Sequence, residues 1–141
     1  MDWYSASVVK ILAKIIFNLI TLAALGFAIY TYFNPISRKF HFTSSDAVMH
    51  VTGFAVVSCL LVFALPNVKR RNLMFWMGSV GVLVEVAQPL LTRKRELSIS
   101  DMGANGLGVL MGVVIGTLFI YAASHLKSLK KKKAVINVAI E

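Results

Sequence analysis

Four apolar runs, each about the length a helix needs to cross a bilayer, limit what this chain can fold into. They are Ile15 to Phe33, Ala47 to Leu65, Leu73 to Leu91 and Met102 to Ala123. Inside hydrocarbon every backbone N–H and C=O must find its partner within the segment, so a run of about 20 apolar residues crosses as a helix. The links between the runs are short and polar, and Pro66-Asn67 closes the second run. The expected fold is therefore all-α and integral to the membrane: a four-transmembrane-helix bundle with spans at about 11–33, 47–65, 73–91 and 102–123. An amino end at 1–14 precedes the membrane domain of 15–123, and a basic tail at 124–141 follows it. No room is left for a separate soluble domain.

Composition decides between two readings of the charge. A net charge of +9 in a soluble protein would point to nucleic acid. Here 57% of residues are hydrophobic, and the lysines and arginines sit between apolar runs instead of along one face, so no nucleic-acid partner is expected. The first run is too long for the core of a secretion signal. No small-residue cleavage site follows it, because Tyr30-Thr31-Tyr32-Phe33 leads straight into Asn34-Pro35, so it is read as a retained span. Trp3, Tyr4, Tyr30 and Tyr32 suit the two interfacial belts of that span. Cys59 is alone in the chain, so it forms no internal disulfide and reads as a small buried apolar residue.

Orientation follows from counting basic residues on each side. With the amino end inside, the inner side holds ten: Lys10, Lys14, Lys69, Arg70, Arg71, Lys127 and Lys130 to Lys133. The outer side holds five: Arg38, Lys39, Arg93, Lys94 and Arg95. The excess of positive charge inside places both termini in the cytoplasm. The lysine tail then lies against anionic headgroups, which makes membrane lipids the first expected partner.

That topology sends the in-membrane acids to one side. Asp46 and His50 open the second span, Glu85 and Gln88 close the third, and Asp101 and Asn105 open the fourth, all at the outer end. Their spacings of three or four residues put each pair on one side of its helix. On the fourth span the same side continues as Gly108, Gly112 and Gly116, a ridge of small residues that lets a neighbouring backbone come close. At a rise of about 1.5 Å per residue, Glu85 lies roughly 9 Å and His50 about 6 Å below the outer helix ends. At that depth a carboxylate must be paired or protonated, and His50 and Arg95 are the candidate partners. Pro89 has no N–H for the Glu85 carbonyl. Asp46 and Asp101 also have a purely structural reading, as caps or as acids at the positive end of a helix dipole.

The series Asp46-x-x-x-His50-x-x-x-Phe54, Glu85-x-x-Gln88 and Arg95-x-x-x-x-x-Asp101-x-x-x-Asn105-x-x-Gly108-x-x-x-Gly112, spread over about residues 40–120, resembles the VanZ-like family. The resemblance implies a small bacterial multi-span protein of the cytoplasmic membrane. It also implies a founding relative linked to teicoplanin resistance, and relatives found near cell-surface polysaccharide genes. The family's polar positions fall on Asp46, His50, Glu85, Gln88, Asp101 and Asn105, with its arginine at either Arg95 or Arg93.

Three functions compete. The first is recognition, in which Asp46, His50, Glu85, Gln88, Asp101 and Asn105 meet the hydroxyls of a glycan, a lipid-linked sugar or a glycopeptide, and Arg93 and Arg95 meet its anionic part. The second is acid/base or metal-dependent chemistry on such a substrate by Glu85, His50 and Asp101. No nucleophile motif or metal-ligand spacing supports it, so neither a cofactor nor a metal is expected. The third is structural: the polar groups act as glue between helices of a subunit in an envelope assembly.

Overall fold

The computed structural model describes residues 3–33, 46–91 and 97–140. It is all-helical, with α1 at Trp3–Phe33, α2 at Asp46–Ala64, α3 at Arg70–Leu91 and α4 at Ile99–Ile140. All four helices are long and apolar enough to cross a membrane. Two helices outrun the expected spans. α1 starts at Trp3, because nothing between Ser5 and Lys14 breaks a helix. α4 does not stop at the fourth span but continues through the lysine tail for 42 residues. It has no proline to end it, and lysine and alanine favour helix.

α2 and α4 form the centre of the bundle, and the glycines of α4 explain why. A Cβ added at Gly108 would land on the carbonyl oxygen of Val51, and one at Gly112 on that of Ala55. At Gly116 an added Cβ would lie 2.9 Å from the Val62 side chain. The two backbones therefore touch along three turns, at a spacing that only hydrogen side chains permit. Packed around that seam is a core of Phe54, Val57, Val62, Leu73, Met77, Val109 and Val113. α3 lies beside it with the stripe Leu73, Met77, Gly81, Glu85 and Gln88 turned inward. α1 is peripheral: Thr21 is its one buried side chain among the described residues, and its hydroxyl is satisfied locally by the Phe17 carbonyl at 2.9 Å. The exposed faces are rich in leucine, isoleucine and phenylalanine, the surface that a lipid solvent requires.

The chain ends its helices by ordinary means. After α2 the turn at Pro66 is tied by the Leu65 N–H donating to Leu61 O at 2.9 Å. The Arg70 guanidinium reaches back to the Val62 carbonyl at 3.3 Å, one of the carbonyls that α2 leaves without an intrahelical partner. Before α4, Ser98 is the N-cap: its hydroxyl accepts from the Asp101 N–H at 3.2 Å. That settles one of the two readings of Asp101. Its backbone is capped by Ser98, so its carboxylate does not serve as the cap; it stands in the first turn of α4, at the positive end of the helix dipole.

Candidate functional site

The antiparallel order of the helices puts the first turns of α2 and α4 and the last turns of α3 at one end of the bundle. α2 contributes His50, α3 contributes Glu85 and Gln88, and α4 contributes Asp101 and Asn105. His50 is 3% exposed, and Glu85, Gln88 and Asn105 are 1% exposed each. The Asp101 side chain retains 18%. Gln88 lies on the same inward stripe as Glu85, one turn on.

Asn105 is the junction. Its Nδ2 donates to the Gly81 carbonyl on α3 at 3.2 Å and approaches Glu85 Oε1 at 3.5 Å. Both of those partners are oxygens, which fixes the amide: the nitrogen faces α3 and Oδ1 faces α2. There Oδ1 lies 2.9 Å from His50 Nδ1. A carbonyl oxygen only accepts, so Nδ1 carries the proton and donates it. Glu85 Oε1 is also 3.3 Å from Nδ1 and shares that proton. On the far side of the ring, His50 Nε2 lies 3.9 Å from Asp101 Oδ2. The imidazole is thus held between two carboxylates, with its tautomer set by an amide.

Pro89 lies inside α3. Because it has no N–H, it cannot make the helical bond that would end at the Glu85 carbonyl, although α3 stays helical to Leu91. One turn of α2 away from His50, Phe54 closes the cluster off. Its ring packs near Gly81, and beyond it an apolar cleft opens between α1, α2 and α3, lined by Leu25, Ala28, Gly53, Val57, Met77 and Val84.

Of the residues singled out in the sequence, His50, Glu85, Asp101 and Asn105 come together, and Gln88 is buried one turn beyond Glu85 on α3. Gly108, Gly112 and Gly116 lie buried on α4 against α2, below that cluster. Arg93, Arg95 and the side chain of Asp46 lie outside the described residues. Trp76 is 66% exposed and faces away from the core, and His125, also exposed, stacks on Tyr121 with ring centres 6.4 Å apart. Sequence reasoning missed Gly81. Its signal was available: it precedes Glu85 by one helical turn, and without a side chain it brings the Asn105 Cβ to within 3.0 Å of where its own Cβ would stand. One ligand atom each from His50, Glu85 and Asp101, the three residues weighed from sequence for acid/base or metal-dependent chemistry, all lie within 4.8 Å of one another.

No family model matches the chain, and no curated protein or solved structure shows significant similarity to it.

Proposed function

We propose that this is a VanZ-like protein of the bacterial cytoplasmic membrane, with both termini in the cytoplasm. Its polar cluster recognises the polar part of an envelope glycan, lipid-linked sugar or glycopeptide arriving from the outer side. One observation carries this reading: a buried polar network drawn from three helices has a part-exposed member, Asp101. Hydrogen bonds between membrane helices are worth on average only about 0.6 kcal/mol each, so glue alone is a poor return for collecting five polar side chains at one end. A ligand hydroxyl placed at Asp101 would extend a network whose inner members are already oriented. The apolar cleft beyond Phe54 suits a lipid-linked ligand.

The test is binding of a lipid-linked disaccharide to the purified protein in nanodiscs. Asp101→Asn should weaken binding by about tenfold or more, the loss expected when a polar partner is removed, while the melting temperature stays within a few degrees; Gln88→Ala should weaken binding too and also lower the melting temperature, since Gln88 is fully buried. Unchanged binding in both variants defeats the reading. In cells the same variants should abolish any protection against teicoplanin that the native chain confers.

The position of His50 between Glu85 and Asp101 favours a second reading, acid/base hydrolysis or transfer on the same class of substrate. Release of free sugar or phosphate from the lipid-linked disaccharide, lost in His50→Asn, separates turnover from binding.

A further inference from the structure

We propose that His50, Glu85 and Asp101 form a site for one divalent transition-metal ion, Zn2+ or Mn2+. The proposal does not depend on the recognition reading, since a chain that binds no glycan would still take the ion.

The argument starts at the amide of Asn105. Its nitrogen is committed to the Gly81 carbonyl and its oxygen to His50 Nδ1, so in the neutral imidazole the lone pair is on Nε2. That lone pair faces the Asp101 carboxylate at 3.9 Å. A positive charge placed between these two electron-rich atoms is attracted to both, and a metal ion would supply it. The distances suit this. Metal–ligand bonds of about 2.0 to 2.2 Å hold ligand atoms of one ion roughly 3 to 4.3 Å apart, and the three donors here span at most 4.8 Å. A shift of about half an ångström among the three side chains would close the set.

Charge points the same way. With both carboxyls ionised and the imidazole neutral the trio would carry −2 at a low-dielectric end of the bundle, and one divalent ion would cancel it. One imidazole with two carboxylates is a mixed N/O donor set suited to Zn2+ or Mn2+, and poor for Cu+, which prefers sulfur. The hydrogen bond from Nδ1–H to an acceptor is the usual support of a metal-binding histidine, fixing its ring and tautomer. Asn105 Oδ1 provides it. Three protein ligands leave a coordination place open beside Asp101, where a water or an anionic oxygen of a ligand can enter.

The experiment uses the full chain in detergent, stripped with a chelator, dialysed against Zn2+ or Mn2+ and assayed by elemental analysis and calorimetry. The native protein should retain about one equivalent of metal and melt at a higher temperature with metal than without, because the ion binds only the folded state. Asp101→Asn keeps the shape of a part-exposed side chain, so it should fold as the native chain does yet bind about tenfold or more weakly. His50→Asn should bind as weakly or more so, with some loss of stability because the ring is buried and bonded to Asn105. Absence of stoichiometric metal in the native protein overturns the proposal, and a proton then occupies the place between Nε2 and Asp101. Equal retention of metal by both variants overturns it too, by placing the ion elsewhere.

Discussion

The His50 imidazole and the Asn105 amide meet at 2.9 Å across the α2–α4 seam, and the other end of the same amide is tied to the Gly81 carbonyl on α3. One carboxamide thereby joins three helices. Asn105→Ala should lower stability by about 1 to 3 kcal/mol, the cost of leaving buried partners unsatisfied. Asn105→Asp, which replaces the donor to Gly81 with an acceptor, should cost at least as much. Unfolding of the purified protein in mixed micelles checks both, and a loss under about 0.5 kcal/mol would remove Asn105 from its place as the junction.

The glycine ridge makes a sharper prediction because its positions differ in kind. A methyl group at Gly112 would collide with the Ala55 carbonyl, whereas at Gly103 and Gly106 an added Cβ meets nothing within 4 Å. Gly112→Ala should therefore destabilise by about 1 to 3 kcal/mol through overpacking. Gly106→Ala should be neutral or stabilising by up to about 1 kcal/mol through helix propensity. Melting temperatures of the two variants should move in opposite directions or differ by several degrees.

Ser58 is fully buried on α2, and its hydroxyl has no hydrogen-bond partner among the described residues. Its side chain packs where α4 presents Gly112. Removing the oxygen while keeping the Cβ relieves an unpaired polar atom, so Ser58→Ala should leave stability unchanged or raise it by up to about 1 kcal/mol. A clear loss in the same micelle assay would show that the hydroxyl does have a partner.

Topology is open to direct labelling. Under the proposed topology, a cysteine at Ser100, in a Cys59→Ala background, should react with a membrane-impermeant maleimide from the outside of intact cells. One at Lys132 should react only after the cells are opened. The reverse pattern would invert the positive-inside assignment.

Much of this architecture was legible because lipid as a solvent leaves few options. Runs such as Ala47 to Leu65 and Leu73 to Leu91 had to be helices, and their ends at Pro66 and beyond Leu91 were marked by polar residues. The cluster was legible in part because charge is expensive in such a run, so Glu85 and Asn105 stood out, and a three- or four-residue spacing told which neighbours shared their side. What spacing could not tell was which atom meets which. The roles of Gly81 and Ser98 are played by a backbone carbonyl and a short cap, and neither has a pattern of its own. The pairing of Asp101 with His50 depends on the rotation of α4 about its axis, which the glycine contacts with α2 set and which no local signal encodes. The reach of α4 past residue 123 was missed because hydropathy marks where a span ends, not where a helix does.

The 42 residues of α4 form an uninterrupted rod about 63 Å long, roughly twice the thickness of bilayer hydrocarbon. No proline divides it into segments that could swing separately. Asp101 and Asn105 stand near one tip, and Lys130 to Lys133 ride on the same shaft about 40 Å away. One continuous helix therefore carries both the acid and amide of the cluster and the four ammonium groups of the tail.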